Sequence, residues 1–242
     1  MRANKIYSFW ILFRIACGLF WICFSEIITD LFGGWTRKKV DTWVHGWGRM
    51  SARLLQVKLK IFNPHQVDIT AYKRCVLMFN HTSHLDIPVI YSAFPYTIRM
   101  LAKKELYRIP VFSRGMRLGE FPAIDRGNRE QAMKDLQYAR ELMETGVLIN
   151  VFPEGTRSRD GRLGKLKKGG FYLAIEAQAT IIPIGLRNMA TVLPAESLRL
   201  QLGQEVEIHI GQPIDASNYT IQNKDNLIKA VETQLKQLAA IE

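Results

Sequence analysis

Three short segments of this chain carry residue types able to do acid–base or anion chemistry. The first is Asn80-His81-Thr82-Ser83-His84-Leu85-Asp86, directly after the apolar run 75–79. A carboxylate bonded to one imidazole nitrogen fixes the tautomer and leaves the other nitrogen as a base near neutral pH. On a continuous helix, five residues would leave the two side chains about 140° apart. His81 and Asp86 can therefore meet only if His81 lies in a loop and Asp86 in the first turn of the next helix. A purely structural reading stands beside this one. Ser83-x-x-Asp86 has capping-box spacing, and the macrodipole favours Asp in a first turn. Pro88 fits that reading poorly, because a cap at Ser83 would put it beyond the first turn. A metal site made of His81, His84 and Asp86 is a third reading. Outside that segment, His45, His65, Cys75 and His209 repeat no ligand spacing.

The second segment is Gly119-Glu-Phe-Pro-Ala-Ile-Asp125-Arg126, which reads as a strand ending on a charged pair. The third is Phe152-Pro-Glu154-Gly155-Thr156-Arg157-Ser158, after the apolar run 147–152. Here glycine lets backbone N–H groups turn inward, Thr156 adds a hydroxyl, and Arg157 offers a two-pronged donor for phosphate. Lys165, Lys167 and Lys168 follow, then Gly169-Gly170 opening a helix, another place where anions bind. Between Arg99 and Lys168 there are 16 Lys and Arg against 9 Asp and Glu, so most of the chain's net charge of +11 lies there. An anionic partner is implied: a phosphate-bearing substrate, an acidic lipid surface or a nucleic acid. The basic residues cluster at strand ends and are not interleaved with aromatics along one face, which argues against nucleic acid.

The elements that must position these segments follow from periodicity. Residues 57–61 alternate as a half-buried strand. The runs 75–79, 147–152 and 181–186 are short and apolar, with Pro183 pointing to a strand end or edge, and 205–210 alternates strictly. Helical patterns at 128–145, 170–178 and 223–241 fall between or after them. Strands alternating with helices predict an α/β fold with a mixed, largely parallel sheet covered by helices. The 242 residues, 48% of them hydrophobic, suffice for such a core.

Ahead of the strands, residues 6–32 are dense in Phe, Trp, Ile and Leu, interrupted by Arg14, Glu26 and Asp30. The uncharged stretch is shorter than the ~18–20 residues of a spanning helix, and no small-x-small cleavage site follows Arg2 and Lys5. An uncleaved membrane anchor is expected, either a tilted span or a helix within one leaflet; a buried core helix is the alternative. Residues 36–56 read as a second helix, whose Trp43, Trp47, Met50 and Leu54 suit either a membrane interface or ordinary packing. The expected division is a membrane-associated helical hairpin over residues 1–56 and a catalytic domain over 57–242. Three cysteines without paired spacing point to the cytosolic side of a membrane.

Taken together, the segments resemble the glycerophospholipid acyltransferase family. Four blocks match in order: Asn80-His81-x4-Asp86, Ile124-Asp125-Arg126, Phe152-Pro-Glu-Gly-Thr-Arg-Ser158 and Ile182-Pro-Ile184. The His-x4-Asp block is weak alone and specific when Phe-Pro-Glu-Gly-Thr-Arg-Ser follows at this spacing. The resemblance implies acyl transfer from acyl-CoA or acyl-carrier protein to the sn-2 hydroxyl of 1-acyl-glycerol-3-phosphate (lysophosphatidic acid), giving phosphatidic acid. It makes His81 the general base and Asp86 its support. Arg126 and Arg157 would hold the acceptor phosphate, Glu154, Gly155 and Thr156 would shape its pocket, and Lys103 or Lys104 are further candidates for it. Metal and organic cofactors are not implied. The same motifs serve relatives with other acceptors, such as glycerol-3-phosphate or another lysolipid. A thioesterase, in which the base activates water, is the more distant reading.

Overall fold

The computed structural model describes residues 2–124, 128–158, 161–194 and 197–241. Two helices come first, α1 (Lys5–Leu31) and α2 (Arg37–Leu55), each opened by a side-chain cap: Asn4 accepts from the Tyr7 N–H, and Thr36 from that of Lys39. There follow β1 (Lys58–Phe62), β2 (Cys75–Phe79), α3 (Asp86–Ala93), β3 (Ile98–Met100), β4 (Ala102–Lys103), α4 (Pro110–Leu118) and β5 (Ala123–Ile124). The chain continues through α5 (Arg129–Glu144), β6 (Leu148–Val151), α6 (Gly169–Glu176), β7 (Thr180–Arg187), α7 (Met189–Val192), β8 (Glu205–Ile210), β9 (Ile214–Asp215) and α8 (Lys224–Ala239).

The main sheet runs in the order β1-β8-β7-β2-β6-β3, with β9 added to β7. Pairs β1/β8, β7/β2, β2/β6 and β6/β3 are parallel; β7 meets β8 and β9 antiparallel. The sheet is therefore mixed and largely parallel, as the alternation of patterns requires. One face packs with α1, α2, α3 and α7 through residues such as Leu77, Phe79, Ile98 and Ile208. The other packs with α5, α6 and α8 through Val76, Met78, Ile149 and Val151. The side-chain period of two divides β2 between the two cores, which is why its whole run is buried.

Two sequence expectations change, and one of two open alternatives is met. Pro183 lies neither at the end nor at the edge of the sheet but inside β7, opposite Met78 of β2. Its carbonyl accepts from Gly211 N–H, in the gap between β8 and β9, so its missing donor faces a break in the ladder. The strand at 57–61 alternates but is not half-buried: it is the sheet's edge, and Ile61 and Phe62 are exposed. The Trp stripe of α2 is packing. Trp47 is buried and donates Nε1–H to the Ile15 carbonyl of α1, and Trp43, Met50 and Leu54 lean on the sheet's core.

A buried polar link joins α2 to the sheet. Arg99, in β3, has no exposure; its guanidinium donates to Asp41 Oδ1 at 2.7 Å and to the Gly119 carbonyl at 2.5 Å. Thr97 donates to the other Asp41 oxygen. Arg99, which opens the basic region of the sequence, is thus a structural cation.

Candidate active site

β2 and β6 are parallel neighbours with Met78 opposite Val151, so the loops leaving their carboxyl ends emerge side by side. This is where open α/β sheets place their sites. Asn80 anchors the first loop: its amide donates to the Leu186 carbonyl at 3.0 Å and accepts from the Leu186 N–H at 2.6 Å, bonding the end of β2 to β7.

His81 then lies in the loop, and Asp86 is the first residue of α3. Their side chains meet, with Nδ1 2.6 Å from Asp86 Oδ2. A carboxylate accepts only, so Nδ1 carries the hydrogen and Nε2 keeps its basic lone pair. The same Oδ2 accepts from the Thr82 and Ser83 N–H groups at 2.9 and 3.0 Å. Asp86 is wholly buried at the start of α3. The carboxylate that meets His81 also closes the loop, but Ser83 does not cap the helix: α3 begins at Asp86, with Leu85 before it and no side-chain cap. Because the helix begins at Asp86, Pro88 falls in its first turn, where no N–H is required.

The second loop wraps the first. The His81 ring stacks on Phe152 with centroids 4.0 Å apart, and the His81 carbonyl accepts from Ser158 N–H at 2.7 Å. Glu154 is buried. Its Oε1 accepts from the His81 N–H and its Oε2 from the Gly164 N–H, both at 2.8 Å. Burial pushes its carboxyl above the usual range, and the bonds from Gly164 and His81 offset part of that. Gly155 turns the chain at φ +72°, a conformation that glycine adopts without strain. Thr156 is exposed and Arg157 half-buried. The neighbouring His84 is exposed, yet its pKa is lowered, first by partial desolvation and then by the charge of Arg157. Arg157 directly precedes Ser158, whose N–H bonds the His81 carbonyl, so it adjoins the loop that holds His81.

His81, Asp86, Glu154, Gly155 and Arg157 are thus brought together. Lys103 stands on a separate feature, the β4–β5 ladder, where it pairs with Ile124, and Lys104 opens the 3-10 turn that follows. Lys103 is exposed, and Lys104 lines a cleft of about 380 Å³ with Tyr107, Arg117 and Tyr138. Arg126 and Asp125 lie outside the described residues. Glu154 is a brace between two backbone N–H groups. The brace, the Phe152 stack and the Asn80 clamp escaped the sequence reading, since spacing does not show which backbone a side chain reaches.

A family model described as Acyltransferase matches residues 61–187. The chain is 31% identical to an uncharacterised acyltransferase of Schizosaccharomyces pombe over 77% of its own length and 67% of that protein's. It is 32% identical to a chloroplastic 1-acyl-sn-glycerol-3-phosphate acyltransferase of Brassica napus, over 59% of this chain but only 41% of the plant protein. Among solved structures it superposes on the 1-acyl-sn-glycerophosphate acyltransferase PlsC of Thermotoga maritima with a TM-score of 0.72, 22% identity, and coverage of 99% of this chain and 97% of that one. That likeness speaks to the fold. The family match takes in more than half the chain and both loops of the site, and the chain belongs to the acyltransferase family.

Proposed function

We propose that this protein moves a fatty acyl group from a thioester donor, acyl-CoA or acyl-carrier protein, to the sn-2 hydroxyl of 1-acyl-glycerol-3-phosphate, giving phosphatidic acid. The observation that carries this reading is the 2.6 Å His81–Asp86 pair, with Arg157 next in the chain to Ser158, whose N–H bonds the His81 carbonyl. His81 Nε2 takes the proton of the acceptor hydroxyl as that oxygen attacks the thioester carbonyl. Asp86 keeps Nδ1 protonated and stabilises the imidazolium that forms. The tetrahedral intermediate collapses, the carbon–sulfur bond breaks, and the imidazolium returns its proton to the leaving thiolate. No acyl-enzyme is needed. Arg157 and Arg126 would grip the acceptor phosphate, with Lys103 and Lys104 as further cations for it.

The acceptor's single acyl chain resides in a bilayer, and α1 supplies the attachment. Among the described residues α1 is the one helix long and apolar enough to cross a membrane. We propose instead that it lies along one leaflet at the cytosolic face, with residues 1–56 as the anchoring hairpin. Its 27 residues span about 40 Å, and both ends are tied to the rest of the protein. At the start Ala3 N–H donates to Leu200, and Leu200 N–H to Ser8; near the end Arg114 pairs with Asp30. Ile11, Ile15 and Ile22 are buried, while Phe9, Phe13, Trp21 and Phe24 are exposed. A helix with aromatic residues along its outward face belongs in an interface. The test is an assay of lysophosphatidic acid acylation with each donor. A preference for glycerol-3-phosphate or another lysolipid over lysophosphatidic acid overturns the acceptor assignment.

A further inference from the structure

Between β4 and β5 the chain makes an excursion through a 3-10 turn (Lys104–Arg108) and α4. Its inner side is fixed to α1. Gly115 lies against Cys23 so closely that any Cβ would overlap it, the Phe112 and Phe20 rings are 6.4 Å apart, and Arg114 Nη2 is 3.6 Å from Asp30. Its outer side is apolar and unpartnered: Leu106, Ile109 and Val111 are 41%, 45% and 43% exposed. Because Phe112 sits at Phe20, this patch continues the exposed aromatic face of α1 at its middle.

The charge of the segment names the occupant. Residues 103–118 contain Lys103, Lys104, Arg108, Arg114 and Arg117 against one acid, Glu105. Lys103, Arg108, Arg114 and Arg117 are exposed, and exposed apolar side chains on a segment that also exposes Lys and Arg suit an anionic lipid surface. We propose that residues 104–118 form a second lipid-contacting lobe, which inserts beside α1 into a bilayer carrying anionic headgroups. The inference rests on the reading of α1 as membrane-attached and adds a contact to it. It also links attachment to the site, because the lobe begins at Lys103-Lys104 and returns through β5 directly before Asp125-Arg126. Insertion would hold Lys103 and Lys104, proposed for the acceptor phosphate, at headgroup depth.

The experiment compares the full chain with Ile109→Asp/Val111→Asp, Arg108→Glu and, as a reference, Phe9→Asp/Phe13→Asp. Binding is measured on vesicles of phosphatidylcholine alone and of phosphatidylcholine mixed with phosphatidylglycerol. Turnover of a short-chain, water-soluble acceptor in detergent reports folding and should be unchanged in all three. Replacing two inserted aliphatic groups by aspartate should weaken binding at least about tenfold on the mixed vesicles. Arg108→Glu should weaken it about fivefold or more on the anionic vesicles only. If the double aspartate variant loses detergent activity, Ile109→Ser/Val111→Ser gives the same comparison with a smaller perturbation. Wild-type binding by the lobe variants, with loss in the Phe9/Phe13 variant, overturns the lobe and leaves α1 as the anchor. Wild-type binding by every variant overturns the α1 reading as well.

Discussion

Glu154→Gln tests how the two loops hold each other. In the native site each carboxylate oxygen serves one backbone donor, Oε1 the His81 N–H and Oε2 the Gly164 N–H. An amide has one acceptor oxygen, so one of those N–H groups must face an NH₂ group instead. A buried donor left without a partner costs about 1–3 kcal/mol. If the orphan is the His81 N–H, the cost falls on the position of the proposed base, and kcat should drop about 5- to 150-fold. Acceptor and donor KM should change much less, because neither substrate is proposed to touch Glu154. A pH effect accompanies this. Burial raises the Glu154 carboxyl above its unfolded value. Such a group contributes stability that is fully present below the unfolded pKa and lost as pH rises through the folded one. The wild-type advantage in melting temperature should therefore be widest in acid and narrow toward neutrality. Steady-state kinetics with each substrate varied, and melting curves across that range, read both effects. A Gln variant with wild-type kcat would refute the brace. A melting gap that widens toward neutral pH would contradict the buried-carboxylate argument.

Asp86→Asn removes the anion that fixes Nδ1–H and stabilises the imidazolium, and should lower kcat about 10²–10⁴-fold with the protein still folded, as read by circular dichroism beside the rate. Arg157→Lys keeps the charge but loses the planar fork, so acceptor KM should rise while donor KM stays near wild type; equal changes in both would mean general disruption. Arg99→Met takes the cation from the half-buried Asp41 carboxylate, which keeps its bond from Thr97, a loss of about 1–3 kcal/mol. At this size each kcal/mol is worth about 2–4 °C in Tm, so a melting curve within a degree of wild type would remove Arg99–Asp41 from the account of stability.

The fold was legible where local pattern and tertiary demand agree. The runs at 75–79 and 147–152 are apolar on both faces because β2 and β6 lie mid-sheet between two helical layers, and burial of that kind is written in composition. The caps Asn128 and Thr36 mark helix starts for the same local reason. Pro183 was misplaced because the break between β8 and β9 that accommodates it lies about 30 residues away, and periodicity carries no such partner. Arg99 looked like one more cation in a basic stretch; its partner Asp41 is in α2, and only the packing of α2 on the sheet brings them together. The site divides likewise. His81 and Asp86 were readable because loop followed by helix start is their one meeting geometry. The role of Glu154 depends on two strands lying parallel with Met78 opposite Val151, a register that composition leaves open.

His81 is the proposed base for acyl transfer to a lipid hydroxyl. The most direct measurement of that role is thiol release from acyl-CoA by the purified full chain in detergent, with and without lysophosphatidic acid, for wild type and His81→Ala. Thiol release should require the acceptor, the rate should fall about 10²–10⁴-fold in His81→Ala, and His84→Ala should have a much milder effect. Release without acceptor, or a His81→Ala rate above about a tenth of wild type, would contradict that role.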